Sequence, residues 1–138
     1  MNIFERIKAL NFPEGQYIVV GSAIMDVKGI REANDLDVVV TPELFKICEK
    51  NGWELKSWTK KEVLGKPWLK GDGVDLVVDM NYKGMDLTAS DLIAEGERIN
   101  DIWFISLERL VAFKREWGRP RDFEDIQRIE EFFVKQKG

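Results

Sequence analysis

YIVVGSAIMDVKGIREANDLDVVVT, running from Tyr17 to Thr41, holds an apolar run that ends in Gly21-Ser22, a small amphipathic segment, and a second apolar run that opens with two acids. The acids are spaced i, i+2 in Asp35-Leu36-Asp37. At the start of a strand that spacing puts both carboxylates on one face, because strand side chains alternate at period 2. Two like charges about 6–7 Å apart at one strand end cost free energy unless a cation sits between them. A divalent metal meets that requirement best.

The flanks of the two acids follow from the same stretch. Residues 16–20, β-branched and aromatic after Gln16, predict a buried first strand. Gly21-Ser22 then predicts the opening of a short helix running to about Lys28. A strand that turns through glycine into a helix presents free backbone N–H groups and the positive end of the helix dipole, a setting that suits phosphate. The same dipeptide also serves as a plain turn with a serine cap, so it decides nothing alone. Gly29 ends that helix, Arg31 to Asn34 form a loop, and the second strand is predicted from Asp35 to Thr41.

Upstream, Ile3, Phe4, Ile7 and Leu10 fall at helical spacing and predict an amphipathic helix, broken by Pro13-Glu14-Gly15. Downstream, Thr41-Pro42-Glu43 is a helix start, with Leu44, Phe45, Ile47 and Cys48 as its apolar face and Gly52 as its stop. Trp53 to Trp58 predicts a third strand. Leu69, the turn Gly71-Asp72-Gly73 and the apolar run Val74 to Asp79 predict a hairpin ending in a fourth strand. Five lysines, Lys56, Lys60, Lys61, Lys66 and Lys70, surround Trp58 and Trp68. They read either as a lysine-protected edge hairpin or as a stacking path for a nucleotide or single strand. In the fourth strand Asp75 and Asp79 share the face opposite Val74, Leu76 and Val78, so Asp75 needs a partner or a metal.

Past the Tyr82-Lys83-Gly84 turn, residues 90–96 predict a brief helix capped by Ser90. Glu97 to Ile99 and Ile102 to Ile105 predict a hairpin about Asn100-Asp101. Ser106 caps a helix with Leu107, Leu110, Val111 and Phe113 inside, ending near Trp117-Gly118. Asp122 is expected to cap the last helix, with Ile126, Ile129, Phe132 and Phe133 on its core side.

Composition narrows the chemistry. With 138 residues, 44% hydrophobic and 33% charged, the chain is expected to form one soluble domain over 1–138, with a core at 16–105 and a C-terminal helical segment at 106–138. A net charge of -4 gives no footprint for tight duplex binding. The single cysteine, Cys48, leaves no disulfide to form within the chain, and the cytoplasm is the expected location. Charged residues interrupt MNIFERIKALNF, so neither a signal peptide nor a membrane span is expected there. There is no histidine. That removes Ser/His/Asp triads, His-ligated zinc and imidazole acid–base chemistry, leaving carboxylates, lysine, serine or metal.

The ordered set of features resembles the nucleotidyltransferase superfamily related to DNA polymerase beta, in its minimal bacterial and archaeal form. The elements are a strand, Gly21-Ser22, a helix, Asp35-x-Asp37 on a second strand and Asp75 on a later one. The C-terminal run looks like the tail of nucleotidyltransferase-like proteins, toxin and antibiotic-modifying relatives among them. That run is Ser106-Leu107-Glu108-Arg109-Leu110, then Lys114, Gly118-Arg119-Pro120-Arg121-Asp122 and Asp125-Ile126. Ala33-Asn34 departs from the family pattern, standing where relatives often carry threonine or serine. The resemblance implies a nucleotidyltransferase fold, α/β (α+β), with a mixed central β-sheet flanked by helices and C-terminal helices behind it.

It also implies a chemistry: transfer of a nucleoside monophosphate from an NTP, ATP by default, to an acceptor that is a small molecule, a protein or RNA. Two Mg²⁺ ions about 3.5–4 Å apart, with Mn²⁺ as the alternative, would serve it. Asp35 and Asp37 would hold both metals, and Asp75 would complete the site, with Asp79 as the alternative third carboxylate. Gly21 and Ser22 would meet the β/γ phosphates. Arg31 would clamp a phosphate or pair with Asp35, and Lys114 and Arg119 would reach the triphosphate. For these three cations, an internal ion pair with Asp122, Asp125 or Glu108 is an equal expectation. Two readings compete: a catalytically inactive nucleotidyltransferase-fold protein, acting as a nucleotide-binding module or as one partner of a toxin-antitoxin pair, and an unrelated α/β domain in which the acids merely pair with lysines and arginines. No membrane partner is expected. A homodimer or a protein partner would contact exposed Trp53, Trp58 or Trp68.

Overall fold

In the computed structural model, which describes residues 2–137 with the Glu62 side chain apart, helix α1 (Ile3–Lys8) is capped by Asn2, whose Oδ1 accepts from the Glu5 amide at 2.9 Å. Met1 and Gly138, the ends of the expected domain, lie outside the described residues. The next elements are β1 (Tyr17–Val20), α2 (Ala23–Val27), β2 (Leu36–Val40) and α3 (Pro42–Lys50). Thr41 caps α3 with Pro42 in its first turn, as the sequence requires. β3 (Glu54–Ser57), β4 (Pro67–Lys70) and β5 (Val74–Val77) follow, then β6 (Asp79–Tyr82) and β7 (Met85–Thr88). The chain closes with α4 (Ala89–Ala94), β8 (Glu97–Ile99), β9 (Ile102–Phe104), α5 (Leu107–Trp117) and α6 (Pro120–Lys137).

Seven strands form one mixed sheet in the order β3-β4-β5-β2-β1-β9-β8. β2 runs antiparallel to β1 and parallel to β5. The parallel step matters for the site, because a crossover connection brings two strand starts to the same end of the sheet. One contiguous apolar core includes the central strand residues Ile18, Val19, Val38, Val39 and Leu76, with Ile7, Ile24, Leu110, Phe113 and Ile129 from the helices. No helix among the described residues is long and apolar enough to cross a membrane.

Four expectations are corrected, the last being the exposure of Trp53, Trp58 and Trp68. The apolar run from Val74 does not reach Asp79 as one strand: β5 ends at Val77, and Asp79 begins β6 in a separate two-stranded sheet with β7. There Lys66 Nζ takes Asp79 at 3.1 Å and also bonds Asp86. Alternation alone did not mark the break between the sheets, since Val77 and Val78 read as continuous. The brief helix α4 is capped by Thr88 rather than Ser90, in a reciprocal box with Asp91; the Thr-x-x-Asp spacing carried that signal. Asp122 does not cap α6 but is buried inside its first turn. The lysine-rich stretch is the edge hairpin β3–β4, its Trp58 and Trp68 rings stacked at 5.3 Å. Those tryptophans and Trp53 are half-buried, whereas Phe123 and Val134 of α6 are exposed.

A buried ion cluster attaches the C-terminal helices to the sheet. Asp125 accepts from Arg31 Nε and Nη2, both at 2.8 Å, from Lys114 Nζ at 2.9 Å and from Arg128 Nη1 at 3.2 Å. Asp122 accepts from Arg119 Nε at 2.7 Å and lies 3.7 Å from Lys114. Burial pushes Asp125 up, but the bonds and charges of Arg31 and Lys114 outweigh it and hold the carboxyl below the usual carboxylate range. A depressed carboxyl stabilises the fold above its unfolded pKa, and the contribution fades as pH falls through the folded value. Asp125→Asn removes the charge that Arg31 and Lys114 share and leaves buried Lys114 only the more distant Asp122, at 3.7 Å. It is expected to cost about 3–5 kcal/mol at neutral pH, read as a lower urea midpoint, with the deficit narrowing below about pH 4.

Candidate active site

The register of the sheet brings the sequence-selected acids together. Asp37 on β2 pairs directly with Asp75 on β5, and Val20 on β1 stands on the other side of Asp37. Residues paired in register share a face, with side chains about 5 Å apart. Asp35, exposed, immediately precedes β2 rather than opening it, near enough for its charge to act on both Asp37 and Asp75. Asp79 is removed from this row by its place on β6 and its pairing with Lys66, so the carboxylate facing Asp37 is Asp75.

Gly21 follows β1 and lies over Asp37. Its φ is +68°, and a Cβ there would stand 2.9 Å from Asp37 Oδ2. Both conformation and space therefore demand glycine. Ser22 departs from expectation: its side chain makes no cap bond to α2. The hydroxyl instead accepts from Arg31 Nη2 at 3.0 Å. Through Arg31 the turn is joined to Asp125 and the C-terminal helices.

Each predicted cation now has a place. Arg31 does not pair with Asp35; it holds Asp125 through two bonds, and the bond to Asp125 raises its own pKa. Lys114, with 5% of its side chain exposed, lies between Asp125 and Asp122. Arg119 pairs with Asp122 and stacks over Trp117 at 5.4 Å. The internal-pair expectation thus describes all three in this structure, and Glu108 takes no part in the cluster.

The electrostatics of the acid row are the reverse of those around Asp125. Asp35, Asp37 and Asp75 enter none of the ion pairs among the described residues. Burial, then the charge of Asp75, then that of Asp35 push Asp37 up from 3.8 to about 6. Asp75 is raised by burial and by Asp35, against a smaller opposing effect of Lys70. Among the described residues no group of three or more acidic or cysteine side chains is placed to hold a metal ion by itself. Magnesium does not ask for one, since it is commonly held by one or two carboxylates together with substrate phosphates and water. Two facing carboxylates with no ion pair, and only Lys70 across β4 as a smaller opposing charge, are donors that fit a divalent cation completed by phosphate and water.

No protein-family model matches the chain, and no curated protein matches it in sequence. The crystal structure of a "putative nucleotidyltransferase" from Thermotoga maritima is similar in fold, with a TM-score of 0.51 at 18% identity over 99% of this chain and 94% of that one. Identity that low speaks for the architecture only. The fold is that of a nucleotidyltransferase-like α+β protein, a central mixed sheet flanked by helices with further helices at the C-terminal end.

A carboxyl raised from 3.8 to about 6 costs the folded state about 3 kcal/mol at neutral pH relative to an ordinary aspartate. The cost is absent while both states are protonated, grows as pH rises from about 4, and is complete above about 6. Asp37→Asn is therefore expected to unfold at a higher temperature than the native protein at pH 8, with the advantage shrinking to nothing near pH 4. Thermal melts across that range check it; a difference independent of pH would contradict burial and like charge as the source of the cost.

Proposed function

We propose that the protein is a metal-dependent nucleotidyltransferase, transferring a nucleoside monophosphate from an NTP, ATP by default, to a hydroxyl-bearing acceptor. The observation that carries this reading is the unpaired carboxylate row, Asp37 against Asp75 with Asp35 beside them, beneath a glycine turn. Membership of the DNA polymerase beta superfamily is part of the same proposal. Asp35 and Asp37 would hold two Mg²⁺ ions, and Asp75 would complete the set. Bound there, magnesium would neutralise triphosphate oxygens and make the acceptor hydroxyl more acidic.

The chain's own residues would do the rest. Gly21, lacking a Cβ, admits phosphate oxygens close to the backbone, and Ser22 offers its hydroxyl. Arg31, already touching Ser22, is the cation best placed to meet a phosphate. Arg119, with 40% of its side chain exposed, has room to turn towards the triphosphate, and Lys114 would support both from behind through Asp125 and Asp122. The acceptor oxygen attacks the α-phosphorus, its proton passes to the Asp75 carboxylate, and the bond to the bridging oxygen breaks to release pyrophosphate.

Calorimetric titration with each of the four common NTPs, with and without Mg²⁺, tests the reading beside an Asp35→Ala, Asp37→Ala double variant. Binding that needs both metal and acids is the expected result. Asp37→Ala is expected to abolish transfer of radiolabelled nucleotide, by at least a thousandfold where a metal ligand is lost, and to leave the fold intact. Unchanged turnover in Asp37→Ala would defeat the assignment. No nucleotide binding under any condition would leave the inactive, partner-binding reading in its place.

A further inference from the structure

We propose that Arg6 is the positioning residue of the carboxylate row, clamping together the two backbone segments from which its acids leave. Its Nη1 donates to the Asn34 carbonyl at 2.8 Å and its Nη2 to the Gly73 carbonyl at 3.0 Å. Asn34 immediately precedes Asp35, and Gly73 stands two residues before Asp75. One guanidinium therefore spans the lead-ins of β2 and β5. The same Gly73 carbonyl accepts the Leu36 amide at 3.3 Å, the first link between the two segments.

A clamp is needed at this point. β2 and β5 are parallel, so their starts lie side by side, and the carboxylates they deliver repel one another. The repulsion acts to spread the lead-ins where the strand ladder is only beginning. Arg6 opposes it by geometry, because two parallel donors fix the separation of two carbonyls.

The arm that carries the clamp is itself fixed. Arg6 lies on α1, whose Ile3 and Ile7 are buried in the core and whose Phe4 meets Phe104 edge-on at 6.0 Å. Gly73 is shaped to receive it: φ is +73°, and a Cβ there would come within 3.0 Å of Arg6 Nη2. The positioning role rests on the proposed metal site, whereas the clamp itself does not.

Amide hydrogen exchange and Mn²⁺ titration of the native protein, Arg6→Ala and Arg6→Lys test the two parts separately. In Arg6→Ala the Leu36 amide is expected to exchange at least tenfold faster, with amides deeper in β1 and β2 unchanged, and Mn²⁺ to bind about tenfold more weakly. Arg6→Lys, which reaches one carbonyl at a time and keeps the apolar stem, is expected to fall between, and it carries the comparison if the alanine variant does not fold. An unchanged Leu36 amide would overturn the clamp whatever the metal does. A faster Leu36 amide with native Mn²⁺ affinity would overturn the positioning role. Native protein that binds no Mn²⁺ would sink both the metal reading and the positioning role, leaving Leu36 exchange to decide the clamp.

Discussion

Asp125 is the point on which the two halves of the molecule meet. A carboxylate buried on α6 accepts from Arg31, which follows α2, and from Lys114 on α5. Two groups of helices and the glycine turn are thereby held to one charge. Burying that many ionic groups is expensive in itself. The cluster survives because each carboxylate faces more than one cation and no buried side-chain polar atom among the described residues lacks a hydrogen-bond partner. Its worth lies less in net stability than in direction, since hydrogen bonds to a fixed carboxylate set where Arg31 stands, and Arg31 in turn holds the Ser22 hydroxyl.

The molecule treats two sets of aspartates in opposite ways. Asp122 and Asp125 are surrounded by cations and held below the ordinary carboxylate range, although burial alone would raise them. Asp37, on the same sheet as the turn, has like charges for neighbours and is raised. A fold selected only for stability would have no reason to leave that row without an ion pair while arginines and lysines are abundant elsewhere. Like charge held without an ion pair at a strand start is a cost that a bound cation would remove, which is the physical ground for the proposed site.

Topology decides which acids share that row. In a parallel pair both strands enter the sheet from the same end, so acids near two strand starts become neighbours although Asp37 and Asp75 are far apart along the chain. Asp79 has the same alternation as Asp75 but belongs to another sheet, where Lys66 neutralises it. The difference lies in one break of the chain at Val78, which neither hydrophobicity nor alternation announced.

The sequence by itself determined most of the elements and their order, because strand alternation, helix period and caps such as Thr41 and Ser106 are local properties carried by residues close together. It determined the acids as well: an i, i+2 pair at a strand start and a carboxylate within an apolar run are anomalies visible without a fold. What only the tertiary structure decided is every pairing across the chain. That Arg31 would meet Asp125 rather than Asp35 depends on where α6 packs. That Asp75 rather than Asp79 would face Asp37 depends on a strand register. Arg6, written in the sequence as one charge on an amphipathic helix, acquires its two carbonyls only once α1 lies against the starts of β2 and β5. Backbone carbonyls carry no residue-specific mark, so nothing in the order of amino acids points to a side chain that binds them from a distance.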